Sequence, residues 1–91
     1  MAMAFNFLTE MKETIQILEN LPRRIETKDP EHPAHRLVIE GQDTRWMIAY
    51  VCTTCKGKLF YTYGDTLKEV AENAQKKIKQ VLKELKELNL S

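Results

Sequence analysis

The chain has 91 residues, 43% hydrophobic and 30% charged, which is the composition of one soluble globular domain. Fourteen Lys and Arg against thirteen Asp and Glu leave a net charge of +1, which excludes the global field of a strongly basic nucleic-acid binder. No run approaches the roughly 18 apolar residues of a membrane span, and MAMAFNFLTEM lacks a basic stretch before an apolar one, so a cytoplasmic protein with no membrane contact is expected.

Taken in chain order, the sequence predicts a helix over about 7–20, a loop over 21–35, a sheet over about 36–63 and a helix over about 66–89, in a single domain spanning 1–91. Asn6 is the expected cap of the first helix, whose apolar positions Leu8, Met11, Ile15 and Leu18 share one face. Pro22 disfavours helix at Leu21. The stretch RRIETKDPEHPAH, with two of the three prolines, reads as a mobile loop with a short extended piece at Ile25.

RLVIE and RWMIAYVC are rich in β-branched and aromatic residues and flank the turn-forming GQDT, which predicts an antiparallel hairpin that KLFYTY extends. Alternation puts Trp46, Ile48, Tyr50 and Cys52 on one face of the middle strand and Met47, Ala49 and Val51 on the other. Thr66-Leu67-Lys68-Glu69 fits a capping box and opens the last helix. Its stripe Leu67, Ala71, Ala74, Ile78, Val81, Leu85 and Leu88 steps by fours and threes. A helix of that length is roughly 36 Å long and should outrun the sheet. The expected fold is therefore α+β in the order α-β-β-β-α, a three-stranded antiparallel meander with two helices packed on one face.

The chain holds only two cysteines and two histidines, as CTTC and HPAH. CxxC followed by x-Gly is the pattern of a zinc knuckle. In a reducing compartment such a pair is a thiol or metal-ligand pair before it is a structural disulfide, and a redox pair would sit at a helix N-terminus rather than after a strand. If the hairpin closes at GQDT, Arg36 falls opposite about Tyr50 to Cys52, and His35 reaches the end of the sheet that bears the cysteines. His32, His35, Cys52 and Cys55 are then the candidate ligands of a zinc ion, structural because four protein ligands leave no open position. The alternative is a small buried Cys52, a turn residue at Cys55 and solvated histidines. No serine precedes Ser91 and only Gly41, Gly57 and Gly64 are present, so neither a serine nucleophile nor a glycine-rich phosphate loop exists, and no catalysis and no small-molecule substrate are expected.

The segment TYGDTLKEVAENAQKKI resembles HicB-type antitoxins, in which a strand ends in a GDT-like turn and enters a helix beginning Leu-x-Glu-Ala. The matching residues are Gly64, Asp65, Thr66, Leu67, Glu69, Asn73 and Ala74, with Val70 where the family has alanine, and the resemblance runs over about residues 36–82. The leading helix and the HxxH and CxxC pairs lie outside that pattern. The helix, three strands, helix order also resembles the double-stranded-RNA-binding domain, but of the three basic positions opening its last helix only Lys68 is basic here.

The expected function is a non-catalytic, antitoxin-like binding or regulatory module that works through a protein partner or as a homodimer. Its expected surfaces are an uncovered sheet face around Trp46, Ile48 and Tyr50 and the distal helix stripe Val81, Leu85 and Leu88. The alternative is binding of double-stranded RNA or DNA through a local patch of Arg23, Arg24, Arg36, Lys56, Lys58 and Lys68 near the CxxC turn.

Overall fold

The structure, a computed structural model, describes residues 2–90 and the side chains of residues 8–88. Helix α1 (Ala2–Asn20) is followed by strands β1 (Arg24–Glu26), β2 (Ala34–Gly41), β3 (Trp46–Cys52) and β4 (Lys58–Gly64), then by helix α2 (Leu67–Leu90). All strand pairs are antiparallel and the sheet order is β1-β2-β3-β4. The α+β class is as expected, but the meander has four strands rather than three.

The added strand is the extended piece at Ile25, which pairs with His35 while Arg24 and Glu26 pair with Arg36 and Ala34. Because β2 has a partner on both sides, it begins at Ala34 rather than 36 and draws His35 out of the predicted loop. Helix α1 begins at Ala2, so Asn6 lies within the helix and is not its cap. The first turn of α2 bears out the capping box: the Glu69 amide donates to Thr66 Oγ1 at 3.1 Å. The Glu69 carboxylate reaches back to the Asp65 amide at 3.2 Å, one residue before the expected one.

Both helices lie on one side of the sheet, α2 against β3 and β4 and α1 against α2. The core joins Leu21, Ile25, Ile48, Tyr50 and Phe60 to Val70, Ala74 and Ile78. The face bearing Trp46, Ile48 and Tyr50 is therefore the covered one. Ile48 and Tyr50 are fully buried and Trp46 packs against the core, which corrects their assignment to an open surface. Alternation could not decide between two apolar faces; the helices choose the one with the larger side chains. Tyr50 also donates to the Pro22 carbonyl at 2.7 Å, and burial pushes its phenol up to about 12.

Of the distal stripe of α2, Val81 and Leu85 pack against the core, while Leu88 is 69% exposed. Leu85 and Leu88 overhang the cysteine end of the sheet and help to enclose a cavity of about 760 Å³ there. Tyr61 and Tyr63 stand on the opposite, open face, across from Ala49 and Met47.

Candidate metal centre

Two short segments meet at that end of the sheet. Residues 27–33, the predicted mobile loop, are laced by local hydrogen bonds. Thr27 Oγ1 donates to the His32 carbonyl at 2.6 Å, the Thr27 amide to the Pro33 carbonyl at 2.9 Å and the Glu31 amide to Asp29 Oδ1 at 2.9 Å. Short polar side chains that bond their own backbone fix such a turn without a core.

The second segment is the turn after β3, closed by the Cys52 amide donating to the Gly57 carbonyl at 2.6 Å. Its left-handed residue is Lys56, at φ 64°, and not Gly57. The Gly57 amide instead donates to Cys55 Sγ at 3.4 Å, and a Cβ there would stand 3.3 Å from that sulfur. Thr53 N donates to the Ala34 carbonyl at 3.0 Å and Thr54 Oγ1 to the Glu31 carbonyl at 3.0 Å, which stitches the turn to the other segment.

The stitched segments bring three of the four candidate ligands together. His32 Nδ1 lies 3.5 Å from Cys52 Sγ and 3.2 Å from Cys55 Sγ, and the three ligand atoms all lie within 4.8 Å of one another. In a tetrahedral site with metal–sulfur and metal–nitrogen bonds of about 2.3 and 2.0–2.1 Å, the sulfur–nitrogen edge is about 3.6 Å. The observed separations are close to that edge, so the trio could hold a metal ion. Both cysteines are free thiols.

The electrostatics favour the ligand form of one sulfur. With its single proton turned to Cys52 Sγ, 3.1 Å away, instead of to the Glu31 carbonyl, the Thr54 hydroxyl does most to lower the Cys52 thiol, helped by the Thr54 and Cys55 backbone amides and by His32, and the thiol falls to about 5. His32 is raised in turn, chiefly by its hydrogen bond to Cys52.

His35 stands apart from the trio but beside it. It is Cys52's direct partner in the β2–β3 ladder, so their Cβ atoms are about 5 Å apart. It is 5% exposed, it lines the same cavity as His32, Cys52 and Cys55, and its Nδ1 is buried with no hydrogen-bond partner. The sequence singled out the four ligand candidates but not Thr54, whose role depends on a contact with Glu31 across 23 positions of the chain.

The basic candidates do not form the single patch expected beside the cysteines. Arg24, Arg36 and Lys58 belong to the sheet and Lys56 to the turn, but Lys68 is at the far end, 3.5 Å from Glu10 of α1. Arg23 lies just before β1, its carbonyl accepting from the Leu37 amide at 3.0 Å.

No family model, curated protein or solved structure matches the chain. The chemistry of the site therefore rests on its own donor set. Among the described residues, no helix is long and apolar enough to cross a membrane.

Proposed function

We propose that this chain is a non-catalytic binding module whose sheet end is locked by a structural zinc ion. The observation that carries the reading is the near-tetrahedral spacing of His32 Nδ1 to the two sulfurs, with the orphaned Nδ1 of His35 alongside. Two thiolates and an imidazole suit zinc, and the His35 imidazole, turned toward the trio, would supply the fourth donor and satisfy its buried nitrogen. Four protein ligands leave no position for substrate, so the ion's contribution is to hold the loop over 27–33, β2 and the cysteine turn as one unit.

Elemental mass spectrometry of the untagged protein tests this. About one zinc per chain is expected, absent in Cys52→Ser, together with a thermal midpoint that chelation lowers by more than about 10 °C. A wild-type chain that folds without metal and is indifferent to a chelator would refute it.

The module's protein contacts are proposed for α1, which lies outside the antitoxin-like pattern of residues 36–82. Its apolar stripe is only half covered: Thr14 is buried and Leu18 packs on the core, while Leu8, Met11 and Ile15 are 63%, 45% and 47% exposed. In sequence the stripe continues back to Phe7 and Met3. A second copy presenting the same stripe is the fitting partner, since self-association hides both at once. Light scattering should give a dimer mass for the wild type and a monomer for Leu8→Glu/Ile15→Glu; a monomeric wild type sinks this part.

A further inference from the structure

The face of the sheet turned away from the helices combines aromatic rings with unneutralised cations. On β4 the rings of Tyr61 and Tyr63 meet edge to face, their centroids 5.5 Å apart, and Tyr61 is 54% exposed. The Arg45 guanidinium lies 3.6 Å from the centre of the Tyr63 ring, and the Lys58 ammonium 5.7 Å from that of Tyr61. On the other side of the same face Arg24 and Arg36 are direct cross-strand partners.

Like charges directly opposite one another on two strands cost stability, so this pairing needs a reason. Arg24 has Glu26 at 3.6 Å, but among the described residues Arg36, Arg45 and Lys58 are in no ion pair. The carboxylates of this face are Glu26, already taken, and Glu40, opposite Met47. Between the arginines and the tyrosines the surface is low, built of the half-buried Val38 and Val51 over a fully buried Ala49. The result is a shallow floor about 14 Å wide, with cations along both edges and the exposed ring of Tyr61 on one.

We infer that this open face binds single-stranded nucleic acid, with a base stacked on Tyr61 and phosphates at Arg24, Arg36 and Lys58. Stacking selects the single strand, because a duplex offers its edges and backbone but no free ring face. The Arg45 guanidinium, over the Tyr63 ring, offers a second plane to the next base. An acidic protein would use the cations and leave the Tyr61 ring without a partner. The inference goes beyond the zinc-locked module and does not depend on it, since none of these residues is a candidate ligand.

The test is fluorescence anisotropy of labelled thymidine and uridine oligomers of about 15 nucleotides with the full chain, using duplex DNA and polyglutamate as competitors. The single strands should bind at about 50 mM salt, more weakly as salt rises, and outcompete both alternatives. Tyr61→Ala should weaken binding by about 5- to 150-fold and Tyr61→Phe should restore it. Arg36→Gln should reduce the log–log salt slope by about 0.7. Circular dichroism checks that each exposed-site variant is folded. No binding at low salt, an unchanged affinity in Tyr61→Ala, tighter binding of duplex, or equal competition by polyglutamate would each overturn the inference, the last in favour of an acidic protein partner.

Discussion

The two ends of β4 close in opposite ways. At Gly64 the chain turns into α2 with its polar partners supplied locally: Thr66 and Glu69 cap the helix, and the Asn73 amide donates to the Tyr63 carbonyl at 3.0 Å. At Lys58 the preceding turn holds a left-handed lysine, two free thiols and, across the ladder, a buried imidazole nitrogen with no partner. The first end is complete as protein. The second gathers three ligand atoms around a common centre and leaves a fourth donor beside them. A turn finished by backbone and caps needs nothing further, whereas one finished by sulfur and imidazole is finished by whatever those atoms bind.

That contrast is broken most severely at Gly64. A Cβ there would run into the backbone of Val70, which cannot swing aside as a side chain can. Gly64→Ala should cost about 3 kcal/mol, near the upper end for overpacking. For a domain of this size the thermal midpoint should fall by roughly 12–24 °C. The loss should be the same with zinc and with chelator, as the two ends are independent. A loss that depends on metal would show them to be coupled and the contrast to be false.

The same contrast explains what could be read from sequence. The capping box and the glycine turn are local, so Thr66, Glu69 and the start of α2 were legible within a residue. The meeting of His32 with Cys52 and Cys55 was legible through spacing and hairpin register together, since the register brings β2 back to the cysteine end. β1 was visible only as an extended piece at Ile25, because three residues with one buried side chain carry too little pattern to be named a strand. The covered sheet face was read the wrong way round. Both faces of β3 are apolar, and the choice is made by long-range contacts of Val70, Ala74 and Ile78 that no window of sequence contains. The overhang of α2 was foreseen, but its last turns lie over the cavity at the cysteine end.

A smaller effect sharpens the contrast more than the large one, because its sign reverses. A buried polar atom without a partner costs about 1–3 kcal/mol, and His35 Nδ1 is such an atom whenever no metal engages it. Leucine has a similar reach and no polar group, and the site is lined in part by Leu59, Leu85 and Leu88. In the chelated protein His35→Leu should therefore raise stability by about 1 kcal/mol, read as an increased urea midpoint at unchanged slope. In the zinc-loaded protein it should lower the midpoint and weaken zinc retention, because the fourth donor is gone and its position opens to the cavity. A core histidine with no ligand role would respond alike in both states. Opposite signs in the two states would mean that the imidazole is tolerated as an unsatisfied group by the empty site and required by the filled one, which is the behaviour of a ligand.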